Sequence, residues 1–248
     1  MKLIIACRHG EAYKNLKNIY GGGGSGLTEN GQKQATELSE KLKILVDTFA
    51  CKPTIYKSCK RVQINETADI IKNVLGVDEV QMNEKFCPIR LGVFDGMSRD
   101  KQLELYPDAC EAHSKWEKGL IDISESEKLV EGMQPAAEYY DQVSGFIQSL
   151  PKDQIHILVG TRSDLSCLKN VIKGQSPRDY MQYKYYNSDY CEMVIGLVQD
   201  NGKIKPLSYE ELLEIISSKL REESETQKKL VSESENVKKV DGSQPGDK

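Results

Sequence analysis

Met1-Lys-Leu-Ile-Ile-Ala-Cys7-Arg8-His9-Gly10-Glu11-Ala-Tyr-Lys-Asn15 opens the chain and decides its fold. Leu3 to Cys7 is an apolar run with the length of a strand that is buried on both faces. The run ends abruptly in Arg8-His9-Gly10. A cation and an imidazole at the carboxyl end of a buried strand lie where open α/β sheets place their ligand sites. Gly10 lets the backbone turn sharply and approach a bound group closely.

Length and charge limit the protein class. The chain has 248 residues, which suits one α/β domain with an ample core, alone or with a tail. Its net charge of −4 gives no electrostatic reason to expect a nucleic-acid partner. No apolar run approaches the roughly 20 residues of a membrane-spanning helix. The N-terminus lacks the basic and apolar regions of a secretory signal, so we expect a cytoplasmic protein without membrane contact.

The cysteines favour a reducing compartment. The chain has 7 of them, an odd number, and no two form a CxxC pair. This pattern predicts free thiols rather than a disulfide framework or a zinc site. We expect no metal ion and no cofactor. Cys7 adjoins the Arg8-His9 pair, and both a reactive thiol and a small buried strand residue fit this position.

The residues around Arg8-His9-Gly10 carry a family resemblance. Asn15 follows at a short interval, then Tyr20-Gly21-Gly22, and then Gly26-Leu-Thr28-Glu-Asn-Gly31-Gln-Lys-Gln-Ala35. In these motifs the chain resembles the histidine phosphatase superfamily, the group that contains the cofactor-dependent phosphoglycerate mutases. The resemblance implies a three-layer αβα sandwich with a mostly parallel central sheet and a small helical cap insertion.

The resemblance also implies roles for these residues. The histidine of the family's Arg-His-Gly attacks phosphorus and is transiently phosphorylated, which makes His9 the candidate nucleophile. Arg8 and Asn15 would lie at the phosphate, together with backbone N–H groups of the loop at Gly21 and Gly22. A mobile linker is the alternative interpretation of this glycine run.

A second cation is expected after the next strand. Pro53 to Tyr56 reads as a strand, and Arg61 falls where the family carries an arginine that clamps the phosphate. The family's Thr-Ala pair corresponds to Thr67-Ala68, which lies two positions later than usual. A solvated charge at a helix start is therefore the alternative for Arg61.

Two family positions hold other residues. Pro88 stands where the family has a glutamate that protonates the leaving oxygen, a role worth roughly 10²–10⁴ in rate. Glu84 is a candidate replacement, and a plain surface glutamate is the alternative. Thr161 stands where the family has its second histidine. His156 cannot replace it, because it lies roughly 16 Å away along the strand. A phosphate contact from Thr161 or Arg162 stays open.

For the remaining chain, the spacing of apolar residues predicts the helices and strands. We predict helices from Thr28 to Phe49 and from Pro135 to Leu150, a strand at 155–159, and a hairpin at 187–207 that turns at Asn201-Gly202. The second helix would bury Ala136, Tyr140, Val143 and Ile147. The domain would span 1–207, with a cap insertion at about 97–135. We expect His113 of this cap to be an exposed helix residue, and a histidine that acts on the site from the cap is the alternative. A helix at 208–220 and a disordered charged tail at 221–248 would follow. The charges of the tail nearly balance, so its composition does not identify a protein partner.

Two functions of different class follow. The first is a divergent phosphomonoester hydrolase or phosphotransferase of low or non-standard activity, acting on a small phosphorylated substrate through phospho-His9. The second is a catalytically impaired relative that binds a phosphorylated ligand or a partner through the same pocket. A true mutase is the less favoured enzyme, since it would have to hold a bisphosphate in a site that lacks two groups.

Overall fold

The computed structural model describes residues 2–49, 52–118, 120–175 and 188–218. The chain divides into two compact units, Met1–Leu207 and Ser208–Lys248. None of the helices in the described ranges has both the length and the apolar composition needed to cross a membrane.

The opening apolar run lies at the centre of a sheet in the first unit. In chain order the strands are β1 (Lys2–Arg8), β2 (Thr54–Lys57), β3 (Val80–Met82), β4 (Gln154–Gly160), β5 (Met193–Val198) and β6 (Ile204–Leu207). Within the described residues their order in the sheet is β3-β2-β4-β1-β5-β6. β1 is buried along its whole length, parallel to β4 on one side and antiparallel to β5 on the other. The mostly parallel sheet that was predicted is confirmed.

Helices cover both faces of this sheet. They are α1 (Tyr13–Leu16), α2 (Glu29–Phe49), α3 (Val62–Leu75), α4 (Arg99–Leu105), α5 (Pro107–Glu117), α6 (Ile123–Glu127), α7 (Ala136–Ser149) and α8 (Arg162–Lys173). Ile4 and Ala6 of β1 join one core cluster with α7 and α8. The alternate residues Leu3 and Ile5 point to the opposite face, because side chains alternate along a strand. The result is the three-layer αβα sandwich that the motifs implied.

The sequence predicted most of the element positions. Thr28 caps α2 by accepting a hydrogen bond from the Gly31 N–H at 3.0 Å, and Ala35, Leu38, Leu42 and Leu45 form the buried apolar stripe of that helix. On α7 the prediction was wrong at one position, since Tyr139 is fully buried and Tyr140 only partly. β3 was not predicted, because it has three residues and its alternation is weak. β5 begins at Met193, and Asn187 lies outside the described residues.

The predicted cap segment contains α4, α5 and α6. A small apolar cluster holds it together, in which Phe94 meets Ala109, Cys110 and Val130. The expectation that His113 is exposed was wrong. Its ring lies 5.0 Å from that of Trp116, and burial together with the charges of Arg99 and Arg162 lowers the pKa of His113 to about 4.

The second unit begins with a helix at 209–218. Ser208 and Glu211 form a reciprocal cap, in which the Glu211 N–H donates to Ser208 Oγ at 3.0 Å and the Ser208 N–H donates to Glu211 Oε2 at 2.6 Å. The last two positions of the predicted helix and the predicted disordered tail lie outside the described residues.

Candidate active site

The candidate site lies where the parallel strands β1, β2 and β4 end. Arg8 pairs with Gly160, and Lys57 pairs with Val159, so the three carboxyl ends are level. The His9 N–H donates to the Gly160 carbonyl at 3.0 Å, and the Ser58 N–H donates to the Val159 carbonyl at 3.0 Å. The loops that carry the candidate residues therefore leave the sheet at one edge, as in other open α/β folds.

A cavity of about 160 Å³ opens at this edge. Four cationic side chains line it, together with His9, two tyrosines and an apolar wall. Among the described residues that line the cavity, none is Asp or Glu. The lining is Arg8, His9, Lys14, Asn15, Asn18, Ile19, Tyr20, Gly21, Arg61, Pro88, Ile89, Leu91, Thr161, Arg162, Ser163 and Tyr190. Such a lining suits an anion.

His9 is held as a neutral imidazole. Its side chain is 3% exposed, and its Nδ1 lies 2.7 Å from the Gly10 carbonyl oxygen. A carbonyl only accepts, so Nδ1 carries the proton and Nε2 keeps a lone pair. Burial and, next, the charge of Arg8 lower the pKa of His9 to about 3. The ring is therefore a free base at neutral pH.

Gly10 is required for packing. A Cβ at this position would lie 2.4 Å from the Gly31 carbonyl oxygen in the first turn of α2. The sequence suggested that Gly10 approaches a bound group. The close approach that the structure shows is instead to another glycine of the protein.

Arg8 is fixed by residues that precede β5. Its Nη1 donates to the Ser188 carbonyl oxygen, and its guanidinium lies 4.0 Å from the centroid of the Tyr190 ring. The Tyr190 ring is also 6.2 Å from that of His9. Tyr190 was not predicted from the sequence, since it belongs to no local motif and lies 182 positions after Arg8.

Arg61 reaches the cavity from the N-terminus of α3. Its Nη2 lies 3.5 Å from Asp95 Oδ1, so the guanidinium is paired rather than only solvated. Thr67 lies two positions later than the family spacing, yet it contacts the loop that carries His9, because its Oγ1 accepts from the Gly10 N–H at 3.1 Å.

The glycine loop only partly matches its predicted role. Gly21 lines the cavity. The Gly22 N–H instead donates to Asp95 Oδ1 at 3.0 Å, and Gly22 is not among the lining residues. Its assignment as a phosphate ligand is therefore corrected. Asn15 lines the cavity while its Oδ1 accepts from the Ala12 N–H at 3.1 Å, so the amide nitrogen is its remaining donor.

Thr161 is committed to capping α8. Its Oγ1 accepts from the Asp164 N–H and lies 2.8 Å from Asp164 Oδ2, to which it donates. Asp164 Oδ2 also accepts from the Thr161 N–H at 2.6 Å, and Tyr139 donates its hydroxyl proton to the other carboxylate oxygen. Thr161 lines the cavity, but its one hydroxyl proton is used within this network. Arg162 lines the same side, with its guanidinium 5.8 Å from the centroid of the Tyr20 ring.

Glu84 is not brought to the site. It lies exposed in the turn after β3 and is absent from the cavity lining, whereas Pro88 does line the cavity. The suggestion that Glu84 replaces the family's acid is therefore corrected. A glutamate four residues upstream along an irregular segment has no geometric reason to face the same way.

Lys14 is a lining residue that sequence reasoning missed. Its Nζ donates to the Gly21 carbonyl oxygen at 2.6 Å, and burial followed by the charge of Arg61 lowers its pKa to about 8. The available signal was its place on the short helix α1, five positions after His9.

Comparison with known proteins gives a consistent result. The family model for the histidine phosphatase superfamily (branch 1) matches residues 4–195. The probable phosphoglycerate mutase GpmB of Erwinia tasmaniensis is 26% identical over 177 residues, which is 70% of this chain and 76% of that protein.

Solved structures share the fold. A phosphoglycerate mutase from Bacillus anthracis superposes with a TM-score of 0.65 at 16% identity, covering 85% of this chain and 95% of the other. A phosphoserine phosphatase from Entamoeba histolytica, solved with 3-phosphoglyceric acid, gives a TM-score of 0.63 at 19% identity, covering 84% and 96%.

Proposed function

The chain belongs to the histidine phosphatase superfamily, and from that membership and the geometry of its cavity we propose that it hydrolyses a small phosphomonoester through a phosphohistidine at position 9. The observation that carries this proposal is the contact between His9 Nδ1 and the Gly10 carbonyl oxygen at 2.7 Å. It leaves Nε2 as an unprotonated nucleophile within a cavity that cations line. A neutral ring needs no separate base before it attacks phosphorus.

The cations would hold the transferring group. Arg8, Arg61 and Arg162 all line the cavity, and guanidinium groups bind phosphoryl oxygens through paired N–H donors. Charge develops on these oxygens in the transition state, where fixed donors act most strongly. The Asn15 amide would add a neutral donor.

The size of the cavity favours a small substrate. Its volume of about 160 Å³ lies below the roughly 300–1,000 Å³ of sites for drug-sized ligands. Ile19, Ile89 and Leu91 form an apolar part of the wall, so the group that leaves would be small and at least partly apolar.

A second candidate, a phosphate-binding protein without turnover, is favoured by one observation. Pro88 lines the cavity in the place of a proton donor, and none of the described lining residues is a carboxylic acid. The same cations would then bind a phosphorylated ligand and release it unchanged.

The discriminating experiment compares wild type with His9→Ala on p-nitrophenyl phosphate, whose good leaving group needs little protonation. We expect turnover in wild type and none above background in His9→Ala, with a phosphorylated His9 trapped by rapid quench. Equal background rates, together with a rise in melting temperature on adding phosphate, would favour the binding protein. Absence of any stabilisation by phosphate or vanadate would contradict both and leave a scaffold with an empty pocket.

A further inference from the structure

The cavity contains few groups that could protonate a leaving oxygen. With no carboxyl group among its described lining residues, the side chains with a transferable proton near the nucleophile are Lys14, Tyr20 and Tyr190, besides the hydroxyls of Thr161 and Ser163. The two hydroxyls lie 2.9 Å apart in the cap of α8. The two tyrosine rings stand beside guanidinium groups. Lys14 is the remaining candidate, a cation in the cavity wall whose charge has no structural role among these contacts.

We propose that Lys14 is the general acid of this phosphatase, in place of the glutamate that the family resemblance puts at Pro88. This inference rests on the proposed function of the site. A general acid must come within hydrogen-bond reach of the leaving oxygen, which departs in line with and opposite the attacking His9 nitrogen.

The position of Lys14 supports this role. It is on α1, immediately after the loop that carries His9, and both side chains line the cavity. The charge of Lys14 is one of the causes that lower the pKa of His9, so the two groups interact electrostatically. One Nζ–H is held by the Gly21 carbonyl oxygen at 2.6 Å, which fixes the ammonium and leaves its two other protons for substrate.

The acidity of the ammonium also suits the task. Burial lowers the pKa of Lys14 to about 8, and the neighbouring cations Arg61 and Arg8 act in the same direction, while Asp95 and Cys59 oppose them. A pKa near the working pH gives a group that is largely protonated yet readily gives up its proton. An ordinary lysine, with its pKa near 10.4, would donate less readily.

His9 Nε2 forms a bond to phosphorus, the bond from phosphorus to the ester oxygen breaks, and its electron pair goes to that oxygen. The proton of Lys14 Nζ moves to the same oxygen, which releases an alcohol and leaves a neutral amine. Water then attacks phosphohistidine, its proton returns to Lys14, and the P–N bond breaks to give inorganic phosphate and neutral His9.

The test varies the leaving group. Wild type, Lys14→Gln and Lys14→Arg are assayed on p-nitrophenyl phosphate and on a simple alkyl phosphate, with Lys17→Gln as the matched control. Lys17 is exposed on the same short segment and does not line the cavity. We expect Lys14→Gln to lose about 10²–10⁴ in kcat on the alkyl ester and less than about tenfold on the aryl ester. Lys14→Arg should lose as much on the alkyl ester while keeping the affinity for inorganic phosphate, because its guanidinium keeps the charge but does not release a proton.

Other results would overturn the assignment. Equal losses on both esters, with weaker phosphate binding in Lys14→Gln and recovery in Lys14→Arg, would make Lys14 a phosphate ligand only. A loss restricted to the alkyl ester in Tyr20→Phe or Tyr190→Phe, but not in Lys14→Gln, would transfer the role to that tyrosine. If wild type turns over neither ester, the proposed function itself fails. Wild-type turnover that the Lys14 variants retain on both esters refutes only the role of Lys14.

The pH profile gives an independent readout. In wild type, kcat/KM on the alkyl ester should fall above about pH 8, as the Lys14 ammonium loses its proton. The fall should be absent from Lys14→Gln, which lacks the titrating group. A wild-type profile that stays flat from pH 7 to pH 10 would contradict the proposal.

Discussion

A Cβ atom added to Gly10 would lie 2.4 Å from the carbonyl oxygen of Gly31, so the loop after His9 and the first turn of α2 meet through two residues that lack side chains. In the reverse direction, a Cβ at Gly31 would lie 2.0 Å from the Glu11 carbonyl oxygen. The position of His9 therefore depends on this contact as well as on the sheet.

The first prediction concerns Gly31→Ala. Alanine favours helix over glycine by up to about 1 kcal/mol, but here the added methyl meets backbone that cannot move aside. We expect the free energy of unfolding to fall by about 1–3 kcal/mol, measured by urea denaturation. Gly145→Ala in α7 is the matched control, since nothing lies within 4 Å of its Cβ, and it should raise stability. Stabilisation by both substitutions would contradict the close packing at Gly31.

The second prediction concerns acid stability. Folding keeps His9 neutral with a pKa of about 3, against 6.5 in the unfolded chain. A lowered pKa contributes stability that is fully present above pH 6.5 and is lost as the pH falls from there toward 3. His9 alone should remove about 2 kcal/mol between pH 7 and pH 5.

Two measurements check this effect. The loss between pH 7 and pH 5 should be smaller in His9→Gln than in wild type when both are unfolded by urea. By NMR the His9 ring should still be neutral at pH 5, with one proton on Nδ1 and none on Nε2. A His9 ring that titrates near pH 6.5 would contradict its burial as a neutral base.

The third prediction separates structure from catalysis at Thr161. Thr161→Val removes the hydroxyl that caps α8 and should lower the free energy of unfolding by about 1–2 kcal/mol. Thr161→Ser keeps the hydroxyl and should retain most of this stability. Turnover of p-nitrophenyl phosphate should change less than about threefold in both variants. A tenfold loss of kcat in Thr161→Val alone would instead show that the hydroxyl contacts phosphate.

The sequence predicted the elements that depend on local pattern. The buried run Leu3–Cys7, the cap Thr28 and the strand before Thr161 each have a signal within a few residues, and the structure places each as expected. The family motifs also predicted that Arg61 lies at the site despite its irregular spacing, and Arg61 lines the cavity.

What the sequence missed depends on distant contacts. Gly22 was predicted to bind phosphate because the backbone N–H groups of glycine-rich loops are available as donors. Its N–H instead donates to Asp95, which lies 73 positions away in the sequence. Glu84 was suggested as the replacement acid only because it lies four positions before Pro88 in the sequence, and that separation does not determine where its side chain points. Lys14 was overlooked because its lowered pKa arises from burial and from Arg61, and neither is visible in the residues beside it.

The last prediction concerns the stacking of Arg8 on Tyr190. Arg8 can hold a phosphate only if its guanidinium stays in place, and the aromatic face 4.0 Å away restrains it together with the Ser188 carbonyl. Tyr190→Leu removes the aromatic face, whose attraction for a partly buried cation is worth about 1 kcal/mol. We therefore expect phosphate or vanadate to bind roughly fivefold more weakly, measured by calorimetry. Tyr190→Phe keeps the ring and should bind as wild type does. Equal weakening in both variants would assign the effect to the hydroxyl, and equal binding in all three proteins would show that the Tyr190 ring does not restrain Arg8.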